Sequence, residues 1–332
     1  MRRKLWRTAC VLGLLSATVP QVASTAASAY GQRGRSAVVV FSQSITADGA
    51  TLQIDFGEGA LDLPRAEVVQ RIQQAAHSVA IFYGRFPVPR ARILVVPVPG
   101  RHGVLQGTTW GNVDGFSSYL RLGIGQSTTH AELFDEWVIT HELSHTALSD
   151  LPEDQHWLEE GLASYVEPLA RVQAGDMDVK TMWAGVVDGM PNGEPGPGDR
   201  GLNNTHGWGR TYWGGALFCL MADVQIRRQT GNRKGLQDAL RGIVAAGGTI
   251  DTEWPVDRVL RAGDQATGTH VLEEMYAQWS EAPVTVDLPA LWRQLGVKAG
   301  QGTVTLDAAA PLAGIRIAMT TPPRPLKSAG MK

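Results

Sequence analysis

The sequence predicts an α+β fold, in which a small lobe of strands and one helix precedes a larger helical lobe. Strand-like runs rich in β-branched residues, bounded by turn residues, fall before residue 129. Beyond it, apolar residues recur at the spacing of buried helix faces. Gly-containing turns separate those later segments. With 332 residues, a formal net charge of −2 and 43% hydrophobic residues, the chain is long enough for one large or two modest domains. The near-neutral balance gives no reason to expect a nucleic-acid partner.

Residues 1–29 have the form of an export signal. Arg2, Arg3 and Lys4 precede an apolar run around Val11–Val19, and Ala27-Ser-Ala29 offers a cleavage site before Tyr30. The run is too short and interrupted for a membrane span, so no stable membrane anchor is expected after cleavage, and the chain is expected to be exported. Arg2-Arg3 also matches the opening of a twin-arginine signal. Cys219 is then the one remaining cysteine, inside the apolar run Ala216–Met221, and reads as core.

The N-terminal β/α lobe is expected over 30–128. Ala37–Ser42 and Thr51–Phe56 read as a hairpin turned at Asp48-Gly49. Pro64 opens a helix to about Phe82 that carries Val68, Ile72, Ala75, Ala76 and Val79 on one side, with His77 at the surface. Arg92–Val96 reads as a buried strand, and an alternating strand follows at Phe116–Ile124.

The helical lobe, expected over 129–284, begins with Trp137-Val-Ile-Thr-His-Glu-Leu-Ser-His145. Thr129-x-x-Glu132 is a capping box, and Leu133, Phe134, Trp137 and Val138 follow at the spacing of one buried face, so one helix is expected from the box through the histidines. On that helix His141 and His145 stand one turn apart on one face and offer two corners of a tetrahedral zinc site. Glu142, rotated by roughly 100°, sits beside the metal and can accept a proton from a metal-bound water. A third ligand is needed. Leu148 and Leu151 stand where the Gly and His of a His-Glu-x-x-His-x-x-Gly-x-x-His site would be, which excludes that solution. The alternative is a residue of a second helix, Trp157–Val166, expected to end at Pro168. Its candidates are Glu160, Glu159 and His156.

Residues 171–205, rich in Gly and Pro, read as one long loop. Thr211 opens a helix apolar most of the way round, expected to be buried and to stop near Thr230-Gly231. Further helices are expected at Leu236–Ala246, Glu253–Arg261 and His270–Ser280. In the extension over 285–332, Pro289–Leu295 adds a short turn, Gly302–Asp307 and Gly314–Met319 read as paired strands, and the end from Thr321 as disordered.

Trp157-Leu-Glu-Glu-Gly-Leu-Ala163 resembles the Trp-x-x-Glu-Gly-x-Ala signature of gluzincin aminopeptidases, whose Glu before Gly is the third metal ligand. That resemblance implies Glu160, a zinc cofactor and a thermolysin-like catalytic fold. Tyr212-x-x-Gly215-Ala216-Leu is a second match, and implies that Tyr212 faces the oxyanion. His206 is the competing donor, since thermolysin uses a His there. Ala222-Asp-Val-Gln-Ile-Arg-Arg-Gln-Thr-Gly231 is similar to the glycyl aminopeptidase family in particular, and more distantly to aminopeptidase N relatives. The resemblance implies a zinc peptidase acting on a peptide or protein substrate, with Glu142 as general base. It also implies a substrate-binding edge strand, matched here by Gly111–Gly115 with Phe116–Ile124. Too few residues precede Thr129 and follow Ala282 for that family's full β-rich part and PDZ domain. The Gly-Ala-Met-Glu-Asn motif that grips a substrate amine is absent, which leaves Asp114 and Glu159 as candidate anchors.

Overall fold

The computed structural model describes residues 37–322. The expected export signal at 1–29 and the chain from 323 onward lie outside the described residues. Strands β1 (Val39–Ala47) and β2 (Ala50–Gly57) form the expected hairpin. Its turn residues, Asp48 and Gly49, have φ of 50° and 88°, the left-handed pair that matches strand twist. Helix α1 (Arg65–Tyr83) then crosses over to β3 (Arg90–Val98), parallel to β2. A second hairpin joins β4 (Val104–Val113) to β5 (Phe116–Gly125).

The sheet order is β1-β2-β3-β5-β4, with β5 parallel to β3. This corrects the expected edge strand: Phe116–Ile124 is interior and β4 is the edge. Alternation reports that a segment is a strand and says nothing about its neighbours. Gly107 and Gly111 in β4 weaken the pattern that would have revealed it.

The capping box forms around Thr129 as expected, but it caps a separate short helix, α2 (His130–Asp135). The chain then straightens at Glu136 (φ −65°, ψ 152°), and the histidine motif occupies its own helix, α3 (Val138–Ser144), with His145 opening a 3₁₀ turn. Glu136 causes the break. Its carboxylate accepts the Ile139 N–H at 2.9 Å, capping α3, and pairs with buried Arg71 of α1 at 2.8 Å.

Helix α4 (His156–Ala174) runs through Pro168 instead of stopping there, and ends at Gly175 with φ 85°. Proline removes one helical hydrogen bond, and burial of Val166, Leu169 and Ala170 on either side carries the helix past it. The expected long loop holds helix α5 (Val179–Gly189), capped by Asp178 at 2.8 Å to the Lys180 N–H, so Gly and Pro content there overstated the irregularity. A wide π-type turn (Gly209–Gly214) leads into α6 (Gly215–Gln229), which buries Cys219. Helices α7 (Leu236–Ala245), α8 (Val256–Thr267) and α9 (Val271–Trp279) complete the lobe, and α10 (Leu288–Leu295) opens the extension. Strand β7 (Val304–Leu306) pairs with β6 (Val297–Ala299), whereas 314–319 lies in helix α11 (Ala313–Thr320), which corrects the expected strand pair. Burial of Ile315 and Met319 four residues apart is the helical period that the apolar run concealed.

One buried apolar cluster runs from the sheet through both lobes and into the extension at Leu295 and Ile315. Among the described residues, no helix is long and apolar enough to cross a membrane.

Helices α4 and α6 meet at Gly161 and Gly215. A Cβ on Gly215 would lie 2.7 Å from the Gly161 Cα, and one on Gly161 would overlap the Gly215 backbone. Gly161→Ala should therefore lower the unfolding free energy, because overpacking typically costs about 1–3 kcal/mol and alanine regains only about 1 kcal/mol of helix propensity. Gly185→Ala, where a Cβ has nothing within 4 Å, should instead raise it slightly. Denaturant midpoints of the two variants check the contrast.

Candidate metal centre

Helices α3 and α4 bring three donors together. One ligand atom each of His141, His145 and Glu160 lies within 4.8 Å of the others, and all three residues are buried. His141 Nε2 stands 3.1 Å and His145 Nε2 3.6 Å from the same oxygen, Glu160 Oε2. Burial alone would push the Glu160 carboxyl up, but the charge of His145 and hydrogen bonds from both rings hold it well below the usual carboxylate range. Burial likewise pushes the His141 ring down, and the Glu160 hydrogen bond and charge outweigh it, leaving it raised. An anionic oxygen facing two imidazole nitrogens, with no other ligand type intruding, is a donor set that fits zinc.

The rival third ligands have other work. Glu159 accepts the Leu151 N–H at 3.0 Å and faces His156 Nδ1 at 3.2 Å. His156 bridges onward, with Nε2 3.4 Å from Glu160 Oε1. Burial lowers the His156 pKa, and the Glu159 hydrogen bond with the two carboxylate charges reverses the sign, so it is raised. His156 thus braces the second oxygen of Glu160, and Glu159 fixes His156.

Glu142 points to the sheet edge. The Thr109 hydroxyl of β4 donates to Glu142 Oε2 at 2.7 Å and lies 3.0 Å from the Glu142 carbonyl. Gly107, two residues earlier on the same face, lets the strand lie over that carboxylate: a Cβ there would come within 2.9 Å of Oε1 and 2.8 Å of Cδ. Sequence reading missed both residues. Their one signal was the Gly-x-Thr alternation, which points to a site only once β4 is known to be the edge.

Tyr212 lies in the wide turn, 8% exposed, its ring stacked on His141 at 6.0 Å between centroids and 22° between planes. Buried Arg210 anchors the turn by an ion pair with Asp199 at 2.8 Å and a short hydrogen bond to the Gly193 carbonyl. His206 is exposed. Asp114 is on the exposed β4–β5 turn with its side chain 74% accessible, 3.8 Å from Arg92. Neither proposed amine anchor, Asp114 or Glu159, therefore presents an uncommitted buried carboxylate to the cluster.

The chain shares its fold with an aminopeptidase N family protein from Idiomarina loihiensis. The TM-score is 0.57 at 16% identity, over 77% of this chain and 49% of that one. A mutant two-domain M1 zinc metallopeptidase bound to L-arginine is similar at a TM-score of 0.50 and 16% identity, over 75% of this chain and 53% of that one. The chain thus spans about half the length of these structures. No protein-family model and no curated protein matches the sequence.

Next to the cluster is a mainly apolar cavity of about 340 Å³, with His141 and Tyr212 in its wall.

The donor set makes a direct prediction. Mature protein should bind one zinc per chain by elemental analysis, and His141→Ala, His145→Ala and Glu160→Ala should each abolish it. Full occupancy in Glu160→Ala would move the third ligand to His156 or Glu159.

Proposed function

We propose that the chain is an exported, single-zinc peptidase that hydrolyses peptide bonds in peptide or protein substrates, on a thermolysin-like catalytic fold. The observation that carries this reading is the buried convergence of His141, His145 and Glu160 beside a separate carboxylate, Glu142, held by Thr109. Those three residues would hold the metal and leave a fourth position open. Zinc bound there supplies an acidified water, with a pKa near about 7, and polarises the scissile carbonyl. With one oxygen engaged by Thr109, Glu142 keeps the other for the proton of the attacking water, and then delivers that proton to the leaving amine. Tyr212, in the wall beside His141, is the donor for the carbonyl oxygen as it becomes negative. The export signal at 1–29 supports a periplasmic or extracellular site of action.

Glu142→Gln keeps the shape of the side chain but not its basicity, so zinc content should be retained while peptide hydrolysis is lost. Retained hydrolysis would remove Glu142 from the mechanism.

Tyr212→Phe should lower kcat by roughly 100- to 1,000-fold, the usual cost of one oxyanion donor. KM and zinc content should change little. A near-normal Tyr212→Phe beside a crippled, zinc-replete His206→Ala would transfer the role to His206.

Aminopeptidase action is the finer form of this reading. Acetylating the peptide should then abolish cleavage, while Asp114→Asn leaves KM near its wild-type value because that side chain faces solvent. Equal cleavage of acetylated and free peptides would make the protein an endopeptidase.

A further inference from the structure

We infer that the cavity beside the metal centre is a specificity pocket for one bulky apolar side chain, aromatic or long aliphatic, flanking the scissile bond. The assignment of a substrate residue rests on the peptidase reading. The choice of an apolar occupant rests on the cavity itself.

Four features point to that occupant. First is size: about 340 Å³ falls at the small end of the roughly 300–1,000 Å³ range of ligand pockets, which suits a single large side chain. Second is position. His141 and Tyr212 form part of the wall, so whatever fills the cavity adjoins the reacting bond. Third is the lining, in which Met182 and Met190 stand with Trp183; flexible thioethers adapt to aromatic and aliphatic shapes alike.

The fourth feature is the pair of exposed tryptophans. Trp137 is 37% and Trp208 63% exposed, and both line this cavity. Trp137 meets the His141 ring edge-on at 5.2 Å, and Trp208 stacks on Tyr212 at 6.3 Å. Two exposed indoles in the wall of one cavity belong to the kind of apolar patch that marks a binding site, and an arriving apolar side chain would cover them.

The polar content of the wall argues against a charged occupant. Glu167 is there, but Arg171 already answers it at 3.1 Å. A cation entering would compete with Arg171, and an anion would face Glu167. Either would give up its water at a wall whose one ion pair, Glu167 with Arg171, is already made. Ser164, one turn beyond Glu160 on the same helix, adds one small hydroxyl to the wall.

The test uses zinc-loaded full-length mature protein and a peptide panel that varies both residues flanking the scissile bond. Peptides with Phe, Leu or Met at one flank should exceed those with Ala by about tenfold or more in kcat/KM, the scale on which apolar pockets discriminate. Ser164→Leu and, from the facing helix, Val186→Phe should each collapse that preference with zinc content retained. Two variants on different helices guard against the misfolding of one. In parallel, tryptophan fluorescence of Glu142→Gln protein is titrated with phenylalaninamide and alaninamide. Saturable quenching by the first alone is expected, and Val186→Phe in the same background should abolish it. No preference, or a preference for Lys or Arg, overturns the pocket and leaves the peptidase reading standing. Selective phenylalaninamide binding without cleavage of any peptide keeps the pocket and removes the peptidase reading. Neither binding nor cleavage removes both.

Discussion

The backbone contact between Gly161 and Gly215 is the constraint on which the site depends. No side chain separates helices α4 and α6 there, and a Cβ on Gly215 would come 2.7 Å from the Gly161 Cα. Glu160 is the residue before one of these glycines, and the turn that carries Tyr212 ends at the other. Closeness at this crossing is therefore what puts a carboxylate of one helix and a phenol of the next around the same imidazole. The Glu-Gly pairing in the sequence has a steric meaning: the acid faces the histidines while the glycine admits the neighbouring helix.

Behind helix α3, which carries His141, lies a buried ionic frame. Arg71 of α1 reaches Glu136 at 2.8 Å, the Glu136 carbonyl at 2.9 Å and the Thr140 hydroxyl at 3.3 Å. Arg171 of α4 holds Glu167 and reaches the Asp135 carbonyl at 3.5 Å. Burial pushes the Arg71 guanidinium down and the Glu136 and Glu167 carboxyls up, with the opposite charges resisting in each case. Stripping one partner from such a pair typically costs about 3–5 kcal/mol. The frame locks the short helix at its N-terminal end, where two elements of the chain, α1 and α4, clamp the break at Glu136.

What the sequence disclosed follows from how local each signal is. His141, Glu142 and His145 are read from the period of one helix, and Glu160 from a signature seven residues long, so their convergence needed no tertiary knowledge. Thr109 and Gly107 act across more than thirty positions of chain, and nothing near them states that β4 is an edge. Pro168 and the Gly-rich run at 185–198 misled for the opposite reason. Their local preference is real, and packing overrides it through buried neighbours such as Trp183 and Leu169. The break between α2 and α3 was hidden because Arg71, which pairs with Glu136 at the break, lies in another helix altogether.

The π-type turn at Gly209–Gly214 acts as a phase adjuster. An α-helix advances about 100° per residue, so a turn one residue wider rotates whatever precedes it relative to the helix that follows. Helix α6 is buried on nearly every side, which leaves its own azimuth set by core packing alone. The wide turn uncouples the heading of the Tyr212 ring from that azimuth. The stacking of the phenol on His141 is thus set within the turn, whose buried Arg210 and Gly214 seat it against the core.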